Sequence, residues 1–309
     1  MRRKITIVGA GNVGATAAHC CLTQGLGDVV LLDTAENIAR GKALDLKQAA
    51  VLEGHGGSVK GTGDYKDTAD SGIVVVTAGQ VRKPGMTRDD LLKVNSGIIK
   101  QVVRDAAHWS PGAFFIIVTN PVDTMSLIAM EAGSLPPNRI IGLSGVLDGA
   151  RMCATIADLA GVPAGIVNGV VVGEHGNAMV PLPRLATIGG VPVPAILSEE
   201  QMATVCEKTT GSGAEIVSLL GYSAYYAPGA AVASMAEAVL WDRRSILCCS
   251  AFVSGQFGAD GLFMGVPIRL GGKGVLSIIE LDLNAGEQAR LEKSIASIRA
   301  NIKVAGQEH

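Results

Sequence analysis

Four short runs of apolar, largely β-branched residues punctuate the first half of the chain, at Lys4 to Val8, Val29 to Leu32, Ile73 to Thr77 and Phe114 to Val118. Each is the length of a strand, and all but the first, Lys4-Ile5-Thr6-Ile7-Val8, run apolar without alternating polar positions. Strands that read this way are buried on both faces, as in a parallel sheet covered by helices. Between them, the stretches that follow Asn12, Ile38, Thr87 and Val122 carry helical spacing. Leu91, Val94, Ile98, Ile99 and Val102 fall three or four apart and predict one apolar helix face turned to the core. Alternation of strand and helix over this span predicts βαβ units, a doubly wound α/β sheet.

The second half has another texture. Gly- and Pro-rich stretches at Gly189 to Pro194 and Gly255 to Gly274 predict hairpins and turns, and helical periodicity returns from Ala285 to Lys303. The change falls near residue 145, without a repeat, a low-complexity tract or a Ser/Gly-rich linker. At about 150 residues per domain, the 309 residues divide into a Rossmann domain over 1–145 and an α+β substrate domain over 146–309, closely packed.

Composition narrows the partners. With 26 Lys+Arg against 28 Asp+Glu, the chain lacks the basic field that binding to a phosphate backbone requires, so nucleic acid is not expected. At 48% hydrophobic and 17% charged it buries enough surface to fold compactly. Its six cysteines include two adjacent pairs and no C-x-x-C, which reads as reduced, mostly buried thiols, with no metal cage. Met1-Arg2-Arg3-Lys4 runs straight into Ile5-Thr6-Ile7-Val8 with no apolar h-region, and Ala224 to Trp241 is interrupted by Pro228 and Glu237. A cytoplasmic protein without a membrane partner is the expectation.

Gly9-Ala10-Gly11-Asn12-Val13-Gly14 carries the first candidate chemistry. A chain with 40 glycines produces G-x-G-x-x-G by chance, so context decides, and here the motif follows a predicted strand and opens a predicted helix. Gly9 permits the tight turn, Gly11 lets a pyrophosphate approach the backbone, and Gly14 lets helix and strand pack closely. The amides of the helix start, at Asn12 and Val13, supply donors and a positive dipole end. Asp33 ends the second strand, 19 residues after Gly14, where a carboxylate accepts from the ribose hydroxyls of adenosine. It would repel a 2′-phosphate, and Thr34-Ala35 offers no guanidinium to receive one, so NAD is expected rather than NADP.

Leu147-Asp148-Gly149-Ala150-Arg151 and Gly173-Glu174-His175-Gly176 form a second constellation. A lone histidine is ordinarily structural, and a lone Asp-x-x-Arg is ordinarily a helix-face ion pair. Taken with Gly9 to Gly14, Asp33, Val118-Thr119-Asn120-Pro121 and the loop from Gln80 to Leu92, however, they make nearly the whole chain resemble the lactate/malate dehydrogenase superfamily. Within it, the sequence is most similar to the lactate-dehydrogenase-like malate dehydrogenases of bacteria, enzymes of the tricarboxylic acid cycle.

The resemblance implies a role for each matched residue. His175 would take the proton of a 2-hydroxy acid during oxidation and return it during reduction, an exchange suited to an imidazole with a pKa near 6.5. Asp148 would orient that ring and stabilise its charge, and Arg151 would hold the substrate 1-carboxylate in a bidentate fork. The loop around Pro84-Gly85, by itself a basic turn, would be a mobile lid. Its closure would bring Arg88 onto the reacting carbonyl oxygen and Arg82 onto the far end of the substrate. Arg82, Arg88 and Arg151 together suit a dianion, so malate and oxaloacetate are expected over lactate and pyruvate. Asn120, Asn95 and Val118 would contact the cofactor, with Asn120 also reaching the substrate oxygen. The resemblance also implies a homo-oligomer, a tetramer in preference to a dimer, although the small-residue faces after Gly14 and from Ala230 to Leu240 suit packing within a fold as well as between subunits.

Two positions depart from the family pattern. Gly149 replaces the usual Ser or Thr, which would loosen the helix start, and Asn177 replaces an acidic residue after His-Gly, which would withdraw support from a charged His175. Two alternatives remain open. An L-lactate dehydrogenase is opposed by Arg82, and a catalytically idle NAD-binding protein would require the whole constellation to be vestigial.

Overall fold

Successive side chains of a strand leave the sheet on opposite faces, and in the central strands at Ile73–Val76 and Phe114–Ile117 both sets are apolar. The computed structural model describes residues 3–80 and 85–306. In β1 (Lys4–Val8) Ile5 and Ile7 enter one core while Val8 enters the other. After β2 (Asp28–Leu32) and β3 (Val59–Thr62), β4 (Ile73–Val76) repeats the division with Ile73 and Val75 against Val74 and Val76. β5 (Phe114–Ile117) does so with Phe114 and Ile116 against Phe115 and Ile117. β6 (Ile140–Gly142) completes a parallel sheet in the order β3-β2-β1-β4-β5-β6. The helices α1 (Asn12–Thr23), α2 (Glu36–Glu53), α3 (Arg88–Trp109) and α4 (Val122–Ala132) join these strands or flank them. The order reverses between β1 and β4, so the crevice beyond their carboxyl ends is the topological switch point where such sheets take ligands.

The expected strands are present, and two more join them. β3 reads Val-Lys-Gly-Thr at a sheet edge with one buried residue, and β6 has three residues, so neither leaves an apolar run to detect. The predicted face of α3 is corrected by about one position. Leu92, Asn95, Ser96, Ile99, Val103 and Ala106 are buried, whereas Leu91, Val94, Ile98 and Val102 are only partly so. Two polar residues lie on the true inner face, and hydropathy alone moves the predicted stripe away from them.

The C-terminal half comprises α5 (Gly145–Ala160), β7 (Val167–Asn168), β8 (Val171–Gly173), β9 (Met179–Pro181), β10 (Thr187–Ile188), β11 (Val191–Pro192), α6 (Glu199–Leu220) and α7 (Tyr226–Leu240). β12 (Ser245–Ser254), β13 (Asp260–Gly271), β14 (Gly274–Ile278) and α8 (Ala285–Val304) follow. β12 pairs antiparallel with β6 at Ser250 and Gly142, and β13 carries β8 and β14, so one sheet runs through both halves. A smaller core gathers Met152, Ile156, Val171, Val193 and Val205 beneath α5 and α6. The predicted hairpin forms at Gly189 and Gly190, both at positive φ, between β10 and β11. Within the predicted Gly255 to Gly274 stretch the chain turns at both ends, but most of it is the 12-residue strand β13, paired with β12 and β14.

The two small-residue faces pack on each other within the chain. Ala17, Ala18 and Cys21 of α1 are buried, as are Ala231, Val232, Met235 and Ala236 of α7, and Gly229 lies so close to Thr16 that a methyl there would collide with it. Among the described residues, no helix is long and apolar enough to cross a membrane.

Candidate active site

The glycine loop turns directly off β1. Gly9 has φ +109°, and Gly14 lies against it so closely that a side-chain carbon would collide with the Gly9 carbonyl oxygen. Gly11 faces open space, with no atom within 4 Å of where its Cβ would stand. As N-cap of α1 it has no side chain to satisfy the first-turn amides, which include those of Asn12 and Val13. A bare backbone, unsatisfied donors and open space fit a dinucleotide pyrophosphate.

Asp33 stands beside this loop and is held by it. The Ala10 N–H donates to Oδ2 at 2.6 Å and the Ala35 N–H to Oδ1 at 2.9 Å. A carboxylate has about four acceptor sites, so acceptor capacity remains for ribose hydroxyls. Thr77, which sequence reasoning missed, braces the same loop by donating its hydroxyl toward the Gly9 carbonyl at 3.0 Å and that of Val8 at 3.2 Å. A lone threonine after a strand carries no pattern that would reveal this.

His175 lies in the turn between β8 and β9, and Asp148 and Arg151 lie in the first turns of α5. Residues far apart in sequence meet here. His175 Nδ1 is 2.7 Å from Asp148 Oδ2, while Arg151 Nη1 donates to Asp148 Oδ1 at 3.0 Å. One carboxylate thus serves both side chains, and the ion pair across one turn of α5 coexists with the histidine contact. With Nδ1 engaged, Nε2 is on the opposite side of the ring. Burial pulls the His175 pKa down, the largest single influence, but the charge and hydrogen bond of Asp148, with Asp123 adding to them, leave it above its ordinary value.

Asn120 and Val118 follow β5 at the same edge of the sheet, Asn120 exposed and Val118 half-buried. Asn95 differs from its expected place. It is 1% exposed, its Nδ2 donates to the carbonyls of Asn120 at 2.9 Å and Gln80 at 3.3 Å, and its Oδ1 accepts from the Gln80 N–H at 2.8 Å. Both amide hydrogens are therefore engaged, and Asn95 braces the backbone under Asn120 and the loop that begins at Gln80. Arg82 lies outside the described residues. Arg88 is the first residue of α3, and its side chain likewise lies outside them. The helix start itself is fixed by a reciprocal box, the Asp90 N–H donating to Thr87 Oγ1 and the Thr87 N–H to Asp90 Oδ2.

Asp123 and Ser250 were also missed. Asp123, in the first turn of α4, accepts from the His175 N–H at 2.9 Å and from the Ser250 hydroxyl at 2.6 Å. The neighbouring Glu174 is tied to α8, its N–H donating to Ser294 Oγ and its carboxylate accepting from Ser297 and Asn301. Asp123 lies two residues beyond the motif Val118-Thr119-Asn120-Pro121, and nothing local shows that its carboxylate faces a loop 52 positions away. Of the departures, Gly149 leaves α5 unbroken and, with Cys153 and Cys248, lines a separate cavity of about 610 Å³. Asn177 is exposed, and the carboxylates that act on the ring of His175 are Asp148 and Asp123.

The family model described as lactate/malate dehydrogenase, NAD binding domain, matches residues 3–142, and that for the alpha/beta C-terminal domain matches residues 145–309. A malate dehydrogenase of Desulforudis audaxviator is 47% identical over 303 residues, 98% of each chain. Among solved structures, the malate dehydrogenase of Cryptosporidium parvum superposes with a TM-score of 0.96 at 38% identity, covering 100% of both chains. The lactate dehydrogenase of the same organism, complexed with lactic acid and nicotinamide adenine dinucleotide, also reaches 0.96 at 38%, covering 100% of this chain and 99% of its own. Backbone likeness therefore does not separate the two substrates.

Proposed function

Since the chain belongs to the lactate/malate dehydrogenase family, we propose that it is an NAD-dependent malate dehydrogenase interconverting (S)-malate and oxaloacetate, with His175 as its proton-transfer residue. The observation that carries this reading is the Asp148 carboxylate, shared by His175 at 2.7 Å and Arg151 at 3.0 Å. It unites a proton acceptor with a carboxylate receptor.

NAD, when bound, supplies the acceptor or donor of hydride. Gly9, Gly11 and Gly14 with the Asn12 and Val13 amides would hold its pyrophosphate, and Asp33 its adenosine ribose. Val118 and Asn120 would line the rest, and Asn95 would act through the backbone that it braces. In oxidation, His175 Nε2 takes the 2-hydroxyl proton while Asp148 stabilises the resulting imidazolium; in reduction the same proton returns. Arg151 grips the 1-carboxylate with the donors that Asp148 leaves. Arg88 would stabilise charge growing on the carbonyl oxygen. Arg82 would pair with the second carboxylate, and over a methyl group it would be a desolvated, unpaired charge, a penalty of roughly several kcal/mol. Reduction of oxaloacetate with NADH should therefore yield (S)-malate, identified by chiral chromatography, and its absence would refute the assignment.

Asp33 sets the cofactor preference. In Asp33→Ser, loss of a charged acceptor worth about 1.5–3 kcal/mol should weaken NADH roughly 10- to 100-fold and relax discrimination against NADPH, read from KM for each. Unchanged discrimination would contradict the placement.

Cellular context is part of the same proposal. All six cysteines are free, which supports a reducing compartment, the cytoplasm, where this interconversion serves the tricarboxylic acid cycle. A homo-oligomer, a tetramer in preference to a dimer, belongs to the same reading, and self-association is supported by apolar side chains left exposed at Ile38, Leu44, Val51 and Leu52 on α2 and at Val217, Leu219, Leu220 and Tyr222 around the end of α6. A monomer mass in light scattering would contradict it.

A further inference from the structure

Asp123 is 3% exposed, and both of its carboxylate oxygens are engaged beside the catalytic loop. Oδ2 receives the His175 N–H at 2.9 Å, and Oδ1 receives the Ser250 hydroxyl at 2.6 Å from β12, at the residue where the antiparallel strands join the parallel sheet. Burying a carboxylate this deeply is costly unless a compensating charge or strong donors face it. A neutral amide would accept the same N–H with far less desolvation. The charge therefore calls for a charged counterpart, and the neighbour that becomes cationic is the ring of His175 itself.

We propose that Asp123 is a positioning residue for His175: it fixes the backbone at His175 and, as a second carboxylate beside Asp148, stabilises the ring in its charged form. The inference rests on the reading of His175 as the proton-transfer residue. Asp148 orients the ring from its side-chain nitrogen, whereas Asp123 holds the main chain from which the ring projects.

The surroundings fit this division. The charged groups facing Asp123 are His175 and Glu174 from the loop after β8, with the Ser250 hydroxyl from β12. Glu174 opposes its ionisation by charge, but the Glu174 carboxylate is held by Ser297 and Asn301 of α8. Burial pushes the Asp123 carboxyl up to about 6, with the Ser250 hydroxyl, the His175 N–H and the His175 charge drawing it back. At neutral pH it is ionised and supports the ring. As pH falls through about 6 it takes up a proton and the support is lost, so His175 and Asp123 titrate as a linked pair.

The test is Asp123→Asn in the full chain, which retains an acceptor for the His175 N–H and removes the charge. Histidine-ring NMR, with the His175 signal assigned by its absence in His175→Asn, should show the His175 pKa lowered by about half a unit or more. The pH limb of malate oxidation, which requires the neutral ring, should move to lower pH by the same amount. Values of kcat should fall about 10-fold with little change in KM. Ser250→Ala leaves the carboxylate but removes one of its donors, so the ring pKa should fall in the same direction by less. A folded Asp123→Asn whose His175 titrates as in the wild type would overturn the proposal. Should that variant not fold, an unchanged titration in Ser250→Ala would do so. Ring titration requires no turnover, so an inactive wild type would sink the functional reading while this result still stood or fell on its own.

Discussion

Asn in place of His175 should lower kcat at least about 10³-fold in both directions, within the range that general acid–base catalysis supplies. An Asn amide can still donate toward Asp148 from near the place of Nδ1, so the local hydrogen bond and the fold are preserved. It cannot accept a proton from an alcohol and return it. NADH binding should be retained, since the glycine loop and Asp33 follow β1 and β2, which lie far from β8 in the strand order of the sheet. Steady-state rates with a fluorescence titration of NADH separate the two effects. A variant that turns over within tenfold of the wild type would remove His175 from the mechanism.

Arg151→Lys is expected to reduce kcat/KM for oxaloacetate about 10²- to 10³-fold, mainly through KM, which corresponds to about 3–4 kcal/mol. The change conserves charge, so a role confined to neutralising Asp148 would leave activity nearly intact. What it removes is geometry. The guanidinium lies against Gly213 of α6 with Nη1 on Asp148, and its planar fork presents further donors that an ammonium cannot reproduce. Equal specificity constants for the Lys variant and the wild type would reduce Arg151 to a helix-face ion pair.

Legibility in the sequence followed the range of the interaction. The glycine loop, Asp33 and the strands they adjoin are contiguous signals, and β1 coincides with the predicted Lys4 to Val8. β3 and β6 escaped because pairing with neighbours defines them, not their own hydropathy. The inner face of α3 was displaced because Asn95 and Ser96 are buried for hydrogen bonds, which hydropathy counts against burial. His175, Asp148 and Arg151 were identifiable only through resemblance, since no local pattern brings residues 27 apart together. Thr77, Asp123, Ser250 and the clasp of Glu174 on α8 lay beyond both routes. Each is an ordinary polar residue whose partner is set by tertiary structure.

A malate dehydrogenase and a lactate dehydrogenase share this backbone to the same degree, so substrate choice rests on side chains. The direct measurement is the ratio of kcat/KM for oxaloacetate to that for pyruvate, from NADH absorbance loss with the purified chain and NADPH alongside. The reading of Arg82, with Arg88 and Arg151, as a receptor for a dianion predicts a ratio above about 10³ with NADH, and little turnover with NADPH. A ratio at or below unity would leave the fold and the His175 chemistry standing but contradict the assignment as a malate dehydrogenase, and no turnover with either acid would contradict the enzyme itself.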